Sequence, residues 1–249
     1  LAKGIELSGI RHKALIEWNK DACQTLIDNY SDKIVHNVDI RLFQFNQFGH
    51  IDMVSGGPPC QPFSMGGKHK GNMDQRDMFP YACRAISTYI PKIFIFENVK
   101  GLLRKSFSSY FEYIILRLTY PDTQLKNSED WEDHLKRLEK IHTSGKYDSI
   151  KYNVIFRLVN AANYGIPQRR ERVFIVGIRE DLNIKWSFPK ETHSLDSLLW
   201  SQFISCDYWR RHGIKPSAIE HLDKRNQQRV HQLLQQPTLF SLSLKPWKT

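Results

Sequence analysis

Short apolar runs alternate with amphipathic stretches along the chain, the pattern of βαβ units and a mostly parallel sheet with helices on both faces. Residues 12–18 (HKALIEW) read as a strand and residues 21–29 as the helix after it. Residues 51–55 (IDMVS) form a second strand, ended by Gly56-Gly57-Pro58-Pro59. A helix is predicted over 78–89, then a buried strand over 92–97 (KIFIFE), and two more strands over 154–159 and 173–178. The near-continuous apolar character of these last runs predicts strands covered on both faces.

Between residues 120 and 146 the chain turns polar and charged. Trp131, Leu135, Leu138 and Ile141/His142 recur there at helical spacing, which predicts an amphipathic surface helix over 129–142. After Pro189 the apolar periodicity weakens, and residues 227–236 are Gln-rich and basic. No internal repeat is present.

Composition narrows the class. Hydrophobic residues make up 41% and charged residues 25% of the 249, as in an ordinary folded domain. No apolar run reaches the roughly 18–20 residues that span a bilayer, and no signal-peptide pattern opens the chain. Lys and Arg exceed Asp and Glu by ten. That surplus points to a polyanionic partner, nucleic acid being the commonest, or else to a merely basic surface. The four cysteines, Cys23, Cys60, Cys83 and Cys206, show no CxxC or Cys/His ligand spacing. They suit neither a disulfide framework nor a zinc site, and a reducing cytoplasm is expected.

Cys60 differs from Cys23 and Cys83, which lie inside helical patterns and read as inert. It follows two glycines that permit close backbone approach to a ligand and two prolines that fix the turn. This holds a thiol at the C-terminal edge of an α/β sheet, where ligands bind. Glu97 ends the run KIFIFE, and in a parallel sheet it reaches that same edge; alone, it would read equally as a solvated strand end. Gln168-Arg169-Arg170-Glu171-Arg172 precedes the run VFIVGI and would open onto the same region.

These residues resemble the DNA (cytosine-5)-methyltransferase family. Pro59-Cys60-Gln61 matches its PCQ motif, Glu97-Asn98-Val99 its ENV motif, and Gln168 through Arg172 its QRRxR motif, in the family's order. The resemblance implies a Rossmann-like fold dependent on S-adenosyl-L-methionine as methyl donor, double-stranded DNA as substrate, and no metal. It makes Cys60 the nucleophile that adds to C6 of cytosine. Glu97 contacts N3 and the exocyclic amine, at least partly protonated through burial. Arg172 holds the base through O2, and Arg170 orders the pocket. The target base must leave the duplex, since stacking blocks the C5/C6 edge. Residues 63–75 match the family's closing loop, with Ser64, Lys68 and Lys70, beside His69, facing the DNA backbone; Gln61, Asn98 and Gln168 are also set at the substrate.

For the cofactor, the resemblance puts Glu17 on the ribose hydroxyls, Trp18 against the adenine and Pro59 in the pocket wall. Asp39 and Ile40 match the motif that receives the adenine amine, although Asp39 also reads as a solvated turn residue. Asp77 stands where the family more often has glycine.

The expected layout is a catalytic domain over 1–189, with an insertion at 120–146, and an extension over 190–249 leading toward a target-recognition domain. The chain begins just past the family's first Gly-rich turn, so a fragment of a longer, monomeric, bacterial-like cytoplasmic enzyme is expected, a cognate restriction endonuclease being its functional partner. A tRNA cytosine-5 methyltransferase or a non-catalytic DNA-binding relative remain alternatives. A generic NAD enzyme is disfavoured because no GxGxxG occurs.

Overall fold

The computed structural model describes residues 1–59, 77–236 and 243–248. They divide into two compact units, one of Leu1–Arg157 with Val173–Lys185, the other of Leu158–Arg172 with Trp186–Thr249. The sequence expectation drew its line at 189; the second unit starts a few residues earlier and also takes in the turn between the last two long strands.

The first unit opens with α1 (Ala2–Leu7), then β1 (Leu15–Glu17), α2 (Lys20–Asn29) and β2 (Val35–Asn37). β1 and β2 pair in parallel, Glu17 opposite Asn37. The Asn19 side chain accepts the Ala22 N–H and starts α2, with Asp21 in its first turn; both choices suit the positive end of a helix. β3 (Met53–Gly56) pairs in parallel with β4 (Ile93–Val99), Gly56 opposite Phe96. Between them runs α3 (Phe79–Tyr89), with a proline in its first turn and the left-handed Ile90 at its end.

β4 alternates strictly. Phe94, Phe96 and Asn98 are buried, and the residues between them are half-buried. Phe94 needs its neighbour to be glycine, since a Cβ on Gly177 would fall 2.0 Å from its ring.

The remaining strands are β5 (Tyr152–Asn160) and β6 (Glu171–Arg179), giving the sheet order β3-β4-β6-β5. The Arg179 N–H donates to Lys92 O and the Glu180 N–H to Lys151 O. The end of β6 therefore lies beside the start of both neighbours, and β6 runs antiparallel to each. The parallel pairs β1–β2, which form a two-stranded sheet of their own, and β3–β4 match the expected parallel pairing; the β5–β6 hairpin is the added feature. β5 is not covered on both faces as its composition suggested: among the described residues it pairs with β6 alone, and Phe156 is 47% exposed while it meets Phe111 edge-on.

Near this edge α4 meets the sheet and α5 packs on α4. α4 (Ser108–Thr119) buries Tyr110, Phe111, Tyr113, Ile114, Leu116 and Leu118. α5 (Trp131–Ser144) starts at Asp130, which accepts the Asp133 N–H, and ends at the left-handed Gly145. Leu135, Leu138 and His134 form its inner face. His134 Nε2 donates to Thr123 O at 3.0 Å, which leaves Nδ1 to accept from the Tyr113 hydroxyl at 3.0 Å. Burial accordingly pushes the imidazole down to about 4 and keeps it neutral. Glu129 forms a two-pronged pair with Arg137 at 2.6 and 2.7 Å, which holds its carboxyl near 2.

In the second unit, β7 (His193–Ser194) pairs in parallel with β8 (Lys245–Pro246). α6 (Leu195–Phe203), α7 (Asp207–His212) and α8 (Lys224–Gln235) supply its helices. Its small core is Leu199, Val230 and Leu233, joined by Leu195, Trp200 and Phe203. The Gln-rich stretch is thus helical, with a narrow apolar stripe. Gly165, at φ 87°, packs so closely on His193 that a Cβ would sit 2.7 Å from the ring. Among the described residues no helix is long and apolar enough to cross a membrane.

Candidate active site

Four turns, after the C-terminal ends of β1, β2, β3 and β4, hold the residues of the first unit to which the sequence assigns chemistry. The tightest construction joins β3 and β4. One step past the Gly56–Phe96 register, Gly57 faces Glu97: a Cβ there would lie 3.4 Å from Glu97 O and 3.5 Å from its Oε2. Any side chain longer than a methyl would occupy the carboxylate's space. Next, the buried Asn98 donates from Nδ2 to Pro58 O at 2.8 Å, while its Oδ1 accepts the Val99 N–H. Expected at the substrate, Asn98 lies 6% exposed and joins the two strand ends. The result is that Pro58-Pro59 and the half-buried Glu97 share one edge of the sheet.

Pro59 is also clamped from the other side, because the Met78 N–H donates to its carbonyl at 2.9 Å. The intervening residues 60–76, with Cys60, Gln61, Ser64, Lys68 and Lys70, lie outside the described residues. Nothing in the sequence pattern announced the Pro59–Met78 clamp.

At the end of β1, Glu17 curls back so that Oε1 accepts the N–H groups of Trp18 and Asn19, both at 2.9 Å. Two backbone donors fix the carboxylate, and among the described residues its other oxygen has no protein partner. Trp18 stands beside it, 72% exposed. A fixed carboxylate beside an open aromatic face is donor-free and well made to accept from a diol, while the indole offers a stacking surface. These residues fit an adenosine-bearing cofactor.

Asp39 is differently occupied. The Arg41 guanidinium grips both of its carboxylate oxygens, with Nε at 2.9 Å from each and Nη2 on Oδ2, and the Arg41 N–H adds a fourth bond at 2.9 Å. The side-chain bond to Arg41 lowers the Asp39 carboxyl from its ordinary value. Ile40, half-buried, packs on the cluster of Phe43, Phe45 and Ala85. An adenine amine arriving at Asp39 must displace or share this guanidinium. Arg41→Ala should therefore tighten cofactor binding by up to about fivefold, the span of an exposed ion pair's worth, as read by calorimetric titration with S-adenosylhomocysteine; weaker binding would mean that Arg41 helps to build the pocket.

Gln168, Arg170 and Arg172 belong to the second unit. Arg170 O accepts the Ala161 N–H at 3.0 Å, pinning the turn just before β6, and Arg172 Nη1 donates to Glu171 O at 2.8 Å. The neighbouring Arg169 guanidinium lies over the Trp247 ring, 5.0 Å from its centre. The same unit carries a cleft of about 360 Å³ that includes Asn160, Asn163, Glu171, His193, Asp196 and Trp247. Sequence reading had not singled it out, because its residues come from four separate segments.

A model of the C-5 cytosine-specific DNA methylases matches residues 1–120 and 125–238. The Type II methyltransferase M.NgoMIV of Neisseria gonorrhoeae is 35% identical over 190 residues, covering 76% of this chain and 52% of its own length. M.AquIA of Picosynechococcus sp., also a Type II methyltransferase, is 34% identical over 200 residues, covering 76% and 71%. The solved S. pombe Dnmt2 methyltransferase aligns with 75% of this chain and 49% of its own at a TM-score of 0.48 and 18% identity. The chain thus spans about half the length of M.NgoMIV.

Proposed function

The chain belongs to the C-5 cytosine-specific DNA methylase family, and on that premise we propose that it forms the catalytic part of an enzyme that methylates C5 of cytosine in duplex DNA, with Cys60 as nucleophile. What supports the reading most is the junction of β3 and β4, where Asn98 holds Pro58 and Gly57 lies against Glu97. Cys60 follows Pro59 directly, so the thiol and the carboxylate start from one edge.

The roles follow from the chemistry. A free thiol ionises near a pKa of about 8.5, so the site must assist thiolate formation before Cys60 adds to C6. Glu97, hydrogen-bonded to N3 and the exocyclic amine, draws charge from the ring as the Cys60–C6 bond forms. Arg172 fixes O2 and Arg170 supports the turn that carries it. Glu17 and Trp18, with Ile40 and Pro59, would hold S-adenosyl-L-methionine, which would supply an electrophilic methyl group to the C5 carbon made nucleophilic by the addition and leave as S-adenosylhomocysteine. Loss of the C5 proton and expulsion of the Cys60 thiolate then restore the aromatic ring. Gln61, Ser64, Lys68, Lys70 and Gln168 contact the nucleic acid.

The proposed setting is a bacterial-like cytoplasm, with a restriction endonuclease of the same specificity as functional partner. Transfer of labelled methyl groups from S-adenosylmethionine by the complete protein tests the substrate class: label is expected in duplex DNA and absent from tRNA. Label confined to tRNA would overturn the DNA assignment while leaving the chemistry intact.

A further inference from the structure

Met78, which clamps Pro59, follows a buried carboxylate that the proposed chemistry does not use. Asp77 is 4% exposed. Its Oδ1 accepts the Phe79 N–H at 3.1 Å, at the start of α3, and its Oδ2 accepts the hydroxyl of Tyr110. Tyr110, in the first turn of α4, is 6% exposed, with its ring against Tyr113 and Trp131. Burial and then the charge of Asp77 push the Tyr110 phenol far above its ordinary value, so the hydroxyl remains a donor. Cys83 on α3 is buried nearby, its thiol raised by burial and subject to both the Arg117 and the Asp77 charges.

A buried carboxylate is costly to keep unless hydrogen bonds satisfy it. This one ties α4 to the first turn of α3, and the next residue passes the constraint on: the Met78 N–H holds Pro59 O at 2.9 Å. A continuous path therefore leads from Tyr110 through Asp77 and Met78 to the residue bonded to Cys60.

We propose that Asp77 and Tyr110 are positioning residues for the methylation reaction, fixing Met78 and, through it, the Pro59 carbonyl from which the nucleophile extends. The proposal rests on Cys60 being that nucleophile. Covalent addition demands close alignment, and a misplacement of about 1 Å can cost roughly a hundredfold in rate. A pin remote from both substrates can therefore govern turnover while binding stays intact.

Tyr110→Phe in the complete enzyme removes one hydroxyl and keeps the ring contacts. Its kcat is expected to fall about tenfold or more, with KM for duplex DNA and for S-adenosylmethionine within about twofold. Adduct formation on DNA containing 5-fluorocytosine should slow in parallel. Asp77→Asn keeps an acceptor and should recover part of the turnover that Asp77→Ala loses. A Tyr110→Phe enzyme with a lower Tm and wild-type kcat per folded molecule would overturn the proposal, as would equal turnover in the two Asp77 variants. If the wild-type enzyme forms no adduct on Cys60, the parent reading fails and takes this one with it; an adduct that forms at an unchanged rate in Tyr110→Phe sinks the positioning role alone.

Discussion

Cys60→Ala in the complete enzyme is expected to abolish both methyl transfer and covalent capture of DNA containing 5-fluorocytosine, while duplex binding survives. Normal turnover removes a proton from C5, and fluorine cannot leave as a cation. The reaction therefore stalls after methyl transfer with the sulfur still bonded to C6, and the complex persists through denaturing electrophoresis. Two of the other cysteines are sequestered. Cys23 is 3% exposed and donates to Glu17 O at 3.2 Å, and Cys83 is buried with its thiol raised. Affinity should be retained because phosphate contacts dominate it. A denaturation-resistant adduct in the Cys60→Ala enzyme would show that another residue attacks the base.

Glu97→Gln should produce the second-largest loss, a fall in kcat of roughly a hundredfold to ten-thousandfold, the usual worth of a positioned acid–base group. The amide is nearly isosteric, so Gly57 can still lie against it and Asn98 can still hold Pro58. What disappears is the carboxyl's capacity to put a proton on N3 as charge leaves C6. Affinity for duplex DNA should shift by less than about threefold, since the lost interaction strengthens only in the transition state. Single-turnover methylation beside equilibrium DNA binding separates the two effects. A large loss of affinity with kcat unchanged would reduce Glu97 to a simple contact with the base.

The parts of this picture that were readable in the sequence are those carried by periodicity and by local motifs. KIFIFE announces a buried strand because its apolar run is short and continuous, and Phe94 and Phe96 are buried in β4. GGPP announces a strand end with close packing, and Gly57 lies against Glu97 accordingly. α4 escaped notice because SSYFEYIILRLT is apolar on most sides and matches neither the helical nor the strand period cleanly. The direction of β6 was equally hidden, since an apolar run states that a strand is buried and says nothing of which way it points. Polar partners far apart in the chain were invisible altogether. Asp77 and Tyr110 are 33 residues apart, and Asp77 drew attention only as a departure from glycine. The Arg41 side chain on Asp39 is a local contact, yet a motif comparison carries no information on what a neighbouring residue does to a shared position.

The central claim is that one sulfur, one carboxyl group and one guanidinium surround a single extruded cytosine. A crystal structure of the complete enzyme trapped on 5-fluorocytosine DNA measures this directly. The expected result is Cys60 Sγ bonded to C6, with the Glu97 carboxyl and the Arg172 guanidinium each about 3 Å from the base edge. A trapped base bonded to another side chain, or one with Glu97 and Arg172 beyond hydrogen-bonding reach, would contradict it.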